Sequence, residues 1–210
     1  MTCFFGMRPA LSFLVVEDEP GVRRLVSRGL SSFGQVEAVG TVAAGRLSLR
    51  ARKYDALIVD VRLPDGSGME LIEVAHTRSP GILVLVLTGS TDHDVIARTL
   101  EMGARYLLKP CDPKHLALIA VEADSRRNAR ERRTNLTLER WGKDYGLSET
   151  EVELLSLGAQ GVAREKFSSL RGVRPDTIRK QIQTLLQKTG DDTFEGAVNS
   201  LLREAVAEPT

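Results

Sequence analysis

Residues 54–68 have the sequence YDALIVDVRLPDGSG, and this stretch decides the fold of the chain. Its uninterrupted apolar run, Ala56–Val59, is typical of a strand buried on both faces of a parallel sheet. The run ends at Asp60, and the proline- and glycine-rich segment after it predicts a turn. Ligands bind at the carboxyl ends of strands in open α/β sheets, so Asp60 is a candidate site residue. An aspartate here also suits an ordinary turn, and Asp60 alone leaves both interpretations open.

The pattern of a buried strand followed by a helix repeats over residues 11–125. Strands are predicted at residues 11–16, 36–39, 56–59, 82–87 and 104–108. Helices are predicted at residues 21–33, 42–52, 68–77 and 92–102 and from Pro113 onward, with Gly34 ending the first of them. The alternation predicts an α/β fold, a five-stranded doubly wound parallel sheet with right-handed crossovers.

Four of the predicted strands end on polar residues that can do chemistry. The first is followed by Glu17 and Asp18, the third by Asp60, the fourth by Thr88 and the fifth by Lys109. Because parallel strands end at the same edge of a sheet, we expect these five side chains to form one site.

Three carboxylates close together repel one another unless a cation lies between them. Magnesium prefers carboxylate and carbonyl oxygens, so we expect Asp18 and Asp60 to bind Mg²⁺ directly, Glu17 to bind through water, and the Arg62 main-chain carbonyl to be a further ligand. Lys109 would cancel the remaining negative charge. Such a site could accept a phosphoryl group on Asp60, with hydrogen bonds from Lys109 and Thr88.

These residues closely resemble the receiver domain of two-component response regulators. The resemblance rests on Glu17-Asp18, Asp60, Thr88, Tyr106 and Lys109-Pro110, with Glu17 in place of the commoner Asp. It implies a flavodoxin-like fold, phosphoryl transfer from a histidine kinase to Asp60, and a cis Lys109–Pro110 peptide bond. It also implies that Tyr106 is a switch aromatic that turns inward when Thr88 engages the phosphoryl group. Without the resemblance, Tyr106 would be interpreted as an ordinary half-buried strand residue.

The composition indicates two domains and one local basic surface. At 210 residues the chain is long enough for a domain of ordinary size and a small one. Residues 1–124 carry 14 basic and 15 acidic side chains, whereas residues 163–190 carry seven basic and two acidic ones. This local excess of positive charge indicates a small surface that faces a polyanion.

The cysteines and the hydropathy pattern indicate the compartment. Cys3 and Cys111 are the only cysteines, and they predict two free thiols in a reducing compartment. No stretch reaches the roughly 18 apolar residues that a membrane span needs. We therefore expect a cytoplasmic protein with no membrane partner.

From Leu147 onward the pattern is entirely helical. Ser148 and Glu151 predict a capping box that begins a helix at residues 149–159. A shorter helix at residues 162–170, a tight turn, a longer helix at residues 174–189 and a last helix at residues 194–207 follow. The short helix, turn and long helix predict a helix-turn-helix, whose second helix enters the major groove of DNA. The residues expected to contact DNA are Arg174, Thr177, Arg179, Lys180, Gln183 and Lys188.

Residues 147–198 resemble the LuxR/NarL-type DNA-binding domain. The resemblance rests on Leu147-Ser148, Glu151, Leu155, Ala159-Gln160-Gly161, Phe167, Val173, Thr177-Ile178-Arg179, Lys188 and Ala197. It also places a dimer contact on an apolar stripe of the last helix that comprises Val198, Leu201, Leu202 and Ala205. The chain departs from the family pattern at Arg164, usually Asn, at Arg171, usually Leu, and at Gln181, often His. A charge at the Leu position predicts looser packing between the two helices, with DNA binding that is weaker or more dependent on dimerisation.

These features predict a receiver domain at residues 11–125, a helical linker at residues 126–144 and a helix-turn-helix domain at residues 145–208. The basic run within the linker suits a solvated helix, and contact with DNA phosphate is the alternative.

The chain would then be a transcription regulator that a histidine kinase phosphorylates, that binds double-stranded DNA, and that forms a homodimer when phosphorylated. The alternative is a signalling adaptor whose C-terminal helices bind a protein instead of DNA. An enzyme is not expected, because an independent phosphatase would need a second catalytic residue beyond the receiver set.

Overall fold

The computed structural model describes residues 10–89 and 93–207, which fall into two compact units. The first unit ends at Arg127 and the second begins at Asn128. Cys3 and Asp92 lie outside the described residues, and Cys111 is a buried free thiol. In the described part of the chain, no helix has both the length and the apolar character needed to cross a bilayer.

The first unit is the predicted α/β fold. Its strands are β1 (Leu11–Val16), β2 (Gly34–Val39), β3 (Ala56–Asp60), β4 (Arg62–Leu63), β5 (Gly66–Ser67), β6 (Leu83–Thr88) and β7 (Arg105–Leu108). Its helices are α1 (Pro20–Ser31), α2 (Val42–Ala51), α3 (Glu70–Arg78), α4 (His93–Glu101) and the beginning of α5 (Pro113–Asp144). Five strands form one parallel sheet in the order β2-β1-β3-β6-β7, which confirms the predicted fold class.

The sheet has a hydrophobic core on each face because its central strands point apolar side chains both ways. Leu57 and Val59 belong to one core, and Ala56 and Ile58 belong to the other. Every residue of β3 and of β6 is buried. The strand register places Asp60 beside Leu87, one residue before Thr88, so both polar residues lie at the same edge of the sheet.

Two local features of the first unit differ from the prediction. Gly34 does not end α1 but begins β2, where a β-carbon would lie only 2.1 Å from the carbonyl oxygen of Leu11. The turn after Asp60 contains a short antiparallel hairpin of β4 and β5, which delays the start of α3 to Glu70. The remaining predicted strands and helices of this unit are present, with ends shifted by one or two residues.

The second unit is a small helical domain. Its helices are α6 (Glu149–Ala159), α7 (Phe167–Arg171), α8 (Pro175–Thr189) and α9 (Phe194–Ala207), with a 3₁₀ turn at Arg164–Lys166. The helix predicted at residues 162–170 is therefore a 3₁₀ turn followed by the shorter α7. The capping box of Ser148 and Glu151 is present, and Gly172 and Gly190 end α7 and α8 with positive φ. Helix α7, the turn and α8 have the order and lengths of a helix-turn-helix.

The segment expected to be a linker contributes to the second unit. Residues 126–144 lie within α5. Leu138 and Trp141 from this segment are buried in the hydrophobic core of the second unit. The indole N–H of Trp141 donates to Glu204 Oε2 of α9 at 2.8 Å, and Arg140 pairs with the other oxygen of Glu204. The second unit therefore begins earlier in the chain than residue 145.

The apolar stripe of α9 packs inside its own unit. Val198 and Leu201 belong to the core of the second unit, Leu202 packs against it, and Ala205 is buried. The expectation that this stripe is a dimer contact stays a prediction, although three of its four residues are already buried within the unit. A domain of this size needs the stripe to close its own core, so little apolar surface remains for a partner.

A glycine next to the strand end of β3 gives a test of how tightly this edge is packed. A β-carbon on Gly68 would lie 1.9 Å from the carbonyl oxygen of Asp60 and 2.6 Å from Val59 Cγ2. We expect Gly68→Ala to lower the free energy of unfolding by about 1–3 kcal/mol, because backbone atoms cannot move aside cheaply. Urea unfolding followed by circular dichroism measures this change. Gly21→Ala is the control, since its nearest atom lies at 3.7 Å, and an unchanged stability of Gly68→Ala would contradict the close packing.

Candidate functional site

The sheet edge brings together the five polar residues that the sequence placed at strand ends. Glu17 and Asp18 follow β1, Asp60 ends β3, Thr88 ends β6, and Lys109 follows β7. Glu17 is fully buried, Asp60 and Thr88 are almost fully buried, and Asp18 is exposed. The predicted cis peptide bond between Lys109 and Pro110 is present.

The three carboxylates form one cluster with the ammonium group of Lys109. Glu17, Asp18 and Asp60 each place a carboxylate oxygen within 4.8 Å of the others. Lys109 Nζ lies 2.7 Å from Asp60 Oδ2 and 2.7 Å from Glu17 Oε2. Three negative charges thus face one positive charge, and the cluster keeps an excess of hard oxygen donors.

Burial and charge shift the acid–base properties of this cluster. Burial raises the pKa of the Glu17 carboxyl above its usual value, although its hydrogen bond and charge interaction with Lys109 act in the opposite direction. Burial by itself lowers the pKa of Lys109, but hydrogen bonds and charge interactions with Asp60 and Glu17 outweigh it and raise the pKa overall. Lys109 therefore stays a cation throughout the physiological pH range.

Backbone groups and one arginine hold the carboxylates in place. The Arg62 amide N–H donates to Asp60 Oδ1 at 3.2 Å, and the Glu19 amide N–H donates to Glu17 Oε1 at 3.3 Å. Arg23 Nη1 donates to the carbonyl oxygens of Glu17 at 2.7 Å and Asp18 at 3.1 Å. Nothing in the sequence distinguishes Arg23 from the other arginines of an amphipathic helix. The role of the Arg62 carbonyl as a metal ligand stays a prediction.

The loop after Asp60 is held by a second residue that the sequence did not reveal. Both carboxylate oxygens of Asp65 accept backbone N–H groups at the start of α2, from Val42 at 2.7 Å and from Ala43 at 2.9 Å. These hydrogen bonds lower the pKa of Asp65. Asp65 therefore fixes the hairpin of β4 and β5 against the neighbouring helix.

Thr88 and Tyr106 lie on neighbouring strands at this edge. The Lys109 amide N–H donates to the Thr88 carbonyl oxygen at 2.9 Å, and Tyr106 pairs with Val86 in the sheet. The Tyr106 residue is 41% exposed, which is close to the half-buried strand residue that the sequence would suggest without the family resemblance. Its role as a switch stays a prediction.

The donor set of the cluster fits a hard divalent cation. Carboxylate oxygens are the ligands that Mg²⁺ prefers, and exposed Asp18 leaves access from water. Glu17 is fully buried and salt-bridged to Lys109, which suits an indirect contact better than direct ligation. The side chains of Asp18 and Asp60 could hold the ion.

A second candidate surface lies on α8 of the second unit. Ile178, Ile182 and Leu185 face the core, and the opposite side of the helix is exposed. The exposed residues expected to contact DNA are Arg174, Thr177, Arg179, Lys180 and Gln183. Arg179 forms an exposed ion pair with Asp176 at 2.9 Å, which contributes little and can exchange for a phosphate contact.

Lys188, also expected to contact DNA, has partners inside the domain. Its Nζ lies 2.7 Å from Glu151 Oε2 and donates to the Gly146 carbonyl oxygen at 2.9 Å. Glu151 also accepts hydrogen bonds from the backbone and the hydroxyl of Ser148. This network ties the end of α8 to the start of α6, and a contact of Lys188 with DNA stays a prediction.

Arg171, whose charge predicted looser packing, has polar partners on both neighbouring helices. Its Nε donates to Glu153 Oε2 of α6 at 2.9 Å, and its Nη1 donates to Gln181 Oε1 of α8 at 2.8 Å. Two of the three departures from the family pattern, Arg171 and Gln181, thus contact each other. A polar bridge replaces the apolar contact that a leucine would make.

The receiver site belongs to a known class of signalling domain. Residues 13–120 match the family model described as the response regulator receiver domain. The match covers half of the chain, and the chain belongs to this family, the response regulators.

Curated relatives extend the similarity into the second unit. The DNA-binding transcriptional activator DevR/DosR of Mycobacterium tuberculosis is 27% identical, over 84% of this chain and 87% of that protein. The transcriptional regulatory protein FixJ of Azorhizobium caulinodans is 28% identical, over 96% of each chain. Among solved structures, full-length FixJ from B. japonicum has a TM-score of 0.51 and 19% identity, covering 96% of this chain and all of that one, which shows the fold.

The Glu151–Lys188 pair predicts how the second unit responds to acid. Burial alone raises the pKa of Glu151, but hydrogen bonds from Lys188 and Ser148 outweigh it and hold the pKa below its usual value of 4.5. A depressed pKa in the folded state stabilises the fold above the unfolded-state value, and this stabilisation is lost as the pH falls through the folded-state pKa. We expect Glu151→Gln to lower the free energy of unfolding by about 1.5–3 kcal/mol at pH 7.

Fluorescence of Trp141 measures this unfolding, because Trp141 is the only tryptophan and is buried in the second unit. The difference between the parent and Glu151→Gln should shrink as the pH falls below 4.5. Exposed Glu149 in the first turn of α6 provides the control Glu149→Gln, with a small effect. A difference that stays constant down to acid pH would show that the ionised pair is not its source.

Proposed function

We propose that this response regulator controls transcription in a phosphorylation-dependent way. It accepts a phosphoryl group from a histidine kinase on Asp60 and binds double-stranded DNA through α8. The observation that carries the first step is the Lys109 ammonium, 2.7 Å from both Asp60 and Glu17, with Asp18 beside them. Such a regulator would work in the cytoplasm, where kinase and chromosome are both accessible.

The chemistry requires a nucleophile and positive charge next to it. A carboxylate oxygen of Asp60 forms a bond to phosphorus while the bond from phosphorus to the kinase histidine nitrogen breaks. Lys109 is positioned to donate a hydrogen bond to a phosphoryl oxygen, and Thr88 offers its hydroxyl from the end of β6. Bound Mg²⁺, held by Asp18 and Asp60 and by Glu17 through water, would supply the remaining positive charge.

DNA binding rests on the arrangement of α7 and α8. The exposed side of α8 presents Arg179, Lys180 and Gln183, which are side chains that contact phosphates and base edges in the major groove. The relatives that extend over both units carry names of transcription regulators. The charge of Arg171 at a position usually held by Leu favours the adaptor alternative, and the contacts of Arg171 with Glu153 and Gln181 weigh against loose packing there.

Phosphorylation would regulate DNA binding through a change in population. Thr88 and Tyr106 at the site edge would sense the phosphoryl group and shift the chain toward a homodimer. Three of the four residues of the α9 stripe are buried, so another surface is more accessible to a second copy. Exposed apolar side chains of Leu100 on α4 and Tyr106 and Leu108 on β7 make the receiver the better candidate.

The identity of the phosphoacceptor is tested by Asp60→Asn. This change keeps the shape of the side chain but removes the nucleophilic oxygen, so radiolabelled acetyl phosphate with Mg²⁺ should label the parent chain and not the variant. Asp65→Asn, five residues along the same loop, is the matched control and should still be labelled. Equal labelling of Asp60→Asn and the parent would place the phosphoacceptor elsewhere.

The role of α8 is tested by the double variant Arg179→Ala, Lys180→Ala. Each phosphate contact releases counterions, so log affinity falls with log salt with a slope of about −0.9 per contact. We expect lower affinity for a pool of random-sequence duplexes and a slope reduced by about 1–2, because either side chain can neutralise one phosphate.

The matched control removes two exposed cations elsewhere in the same unit, as Lys143→Ala and Arg203→Ala. Its affinity and salt slope should stay close to those of the parent. Filter binding across a salt series gives both quantities. Parental affinity in the Arg179/Lys180 variant would exclude this face of α8 as the DNA contact.

A further inference from the structure

Arg171 is a mostly buried guanidinium at the end of α7, the helix before the recognition helix. Its side chain is 13% exposed, whereas that of its partner Glu153 is 54% exposed. Glu153 balances the charge at 2.9 Å from Nε, and Gln181 accepts from Nη1 at 2.8 Å. Arg171 thus connects a residue of α6 to a residue of α8 by two directed hydrogen bonds.

These hydrogen bonds fix which way the Gln181 amide points. A guanidinium has only donors, so the amide oxygen must face Arg171 and the amide NH₂ must point away from it. Among residues 10–89 and 93–207, no hydrogen bond joins this NH₂ group to a protein acceptor. Two donors are therefore held in one direction without a partner in the described chain.

Gln181 lies at the side of α8 that borders the exposed basic face. It is half-buried, follows Lys180 directly, and lies one helical turn after Thr177. Two amide donors suit an acceptor: a phosphate oxygen, or an acceptor on a base edge such as N7 or O6 of guanine or O4 of thymine.

We propose that Arg171 is a positioning residue for DNA recognition, which holds the Gln181 amide so that its NH₂ group donates to an acceptor on DNA. The proposal rests on the proposed function of α8. Arg171 does not touch DNA in this arrangement, and its effect passes through Gln181. The two sites should therefore be coupled in DNA binding, and a purely structural role of Arg171 would not couple them.

Replacing Arg171 by leucine separates orientation from stability. An ion pair whose acid is half-exposed contributes little net stability, so Arg171→Leu should unfold at a urea concentration close to that of the parent. It leaves the Gln181 amide free to rotate, and DNA affinity should fall by about 3- to 10-fold, the range for one hydrogen bond. Arg171→Met, with a longer and more flexible side chain, serves in its place if the leucine variant is unstable.

The test is a double-mutant cycle on the full chain with Arg171→Leu, Gln181→Ala and the double variant. The probes are duplexes that the parent chain selects from a random-sequence pool in the presence of acetyl phosphate and Mg²⁺. Arg203→Leu controls for the loss of one positive charge, and Trp141 fluorescence confirms that each variant is folded.

Two results would support the proposal. Each single variant weakens binding, and the double variant binds no more weakly than either of them. A relaxed preference at one base pair identifies a base acceptor, and equal weakening on all duplexes identifies a phosphate oxygen.

Other results would overturn it. If Gln181→Ala binds like the parent, the amide makes no contact with DNA. If Arg171→Leu weakens DNA binding by the same factor in the parent and in the Gln181→Ala variant, the effect of Arg171 does not pass through Gln181. If the parent selects no duplex at all, the proposed function is wrong. If the parent binds DNA and Gln181→Ala binds equally well, only the proposed role of Arg171 and Gln181 is wrong.

Discussion

The ammonium group of Lys109 allows three carboxylates to meet at one sheet edge. Without it, Glu17 and Asp60 would face each other across a largely buried space with no cation on the protein. The parallel topology creates this problem, because it delivers the ends of β1 and β3 to the same place. Strand β7, which follows α4, places Lys109 at the same edge, and its positive charge offsets the repulsion between the carboxylates. In the receiver, the order of the strands therefore determines which charged side chains meet at the site, and their charges must balance there.

Charged side chains have a comparable role in the helical unit, although its core is apolar. Glu151 and Lys188 join the start of α6 to the end of α8, and Glu204 joins α9 to Trp141 and Arg140 of α5. Hydrogen bonds to charged groups are directional, whereas apolar contacts permit sliding. The Glu151–Lys188 pair therefore adds a directional contact to the apolar packing of α8, and Glu204 adds one to the packing of α9.

Much of the receiver follows from its sequence, because local patterns determine its strands. The run Ala56–Val59 can only be buried on both sides, and each polar residue after such a run must lie at the common edge. The β4–β5 hairpin was missed because strands of two residues have no periodicity to detect. Gly34 was misplaced because a glycine after a helix usually ends it, and only the approach of Leu11 shows why β2 needs it.

The helical unit was less predictable because its polar side chains choose partners distant in sequence. The positive charge of Lys188 and its position on α8 predicted a contact with DNA phosphate. In the structure its partner is Glu151, which lies at the start of another helix. Arg171 was expected to loosen the packing between two helices. The sequence near it does not show that Gln181 and Glu153 lie within hydrogen-bonding distance. A pattern predicts which face of a helix is polar, but the fold decides what each polar group binds.

The position of Trp141 restricts how such proteins could exchange modules during evolution. Leu138 and Trp141 belong to α5, the helix that begins in the first unit, but they complete the core of the second unit. A recombination event that joined a foreign receiver at Asp144 would deliver helices α6 to α9 without two of their core side chains. A crossover near Arg127, where the two units divide, would transfer the second unit with its core intact.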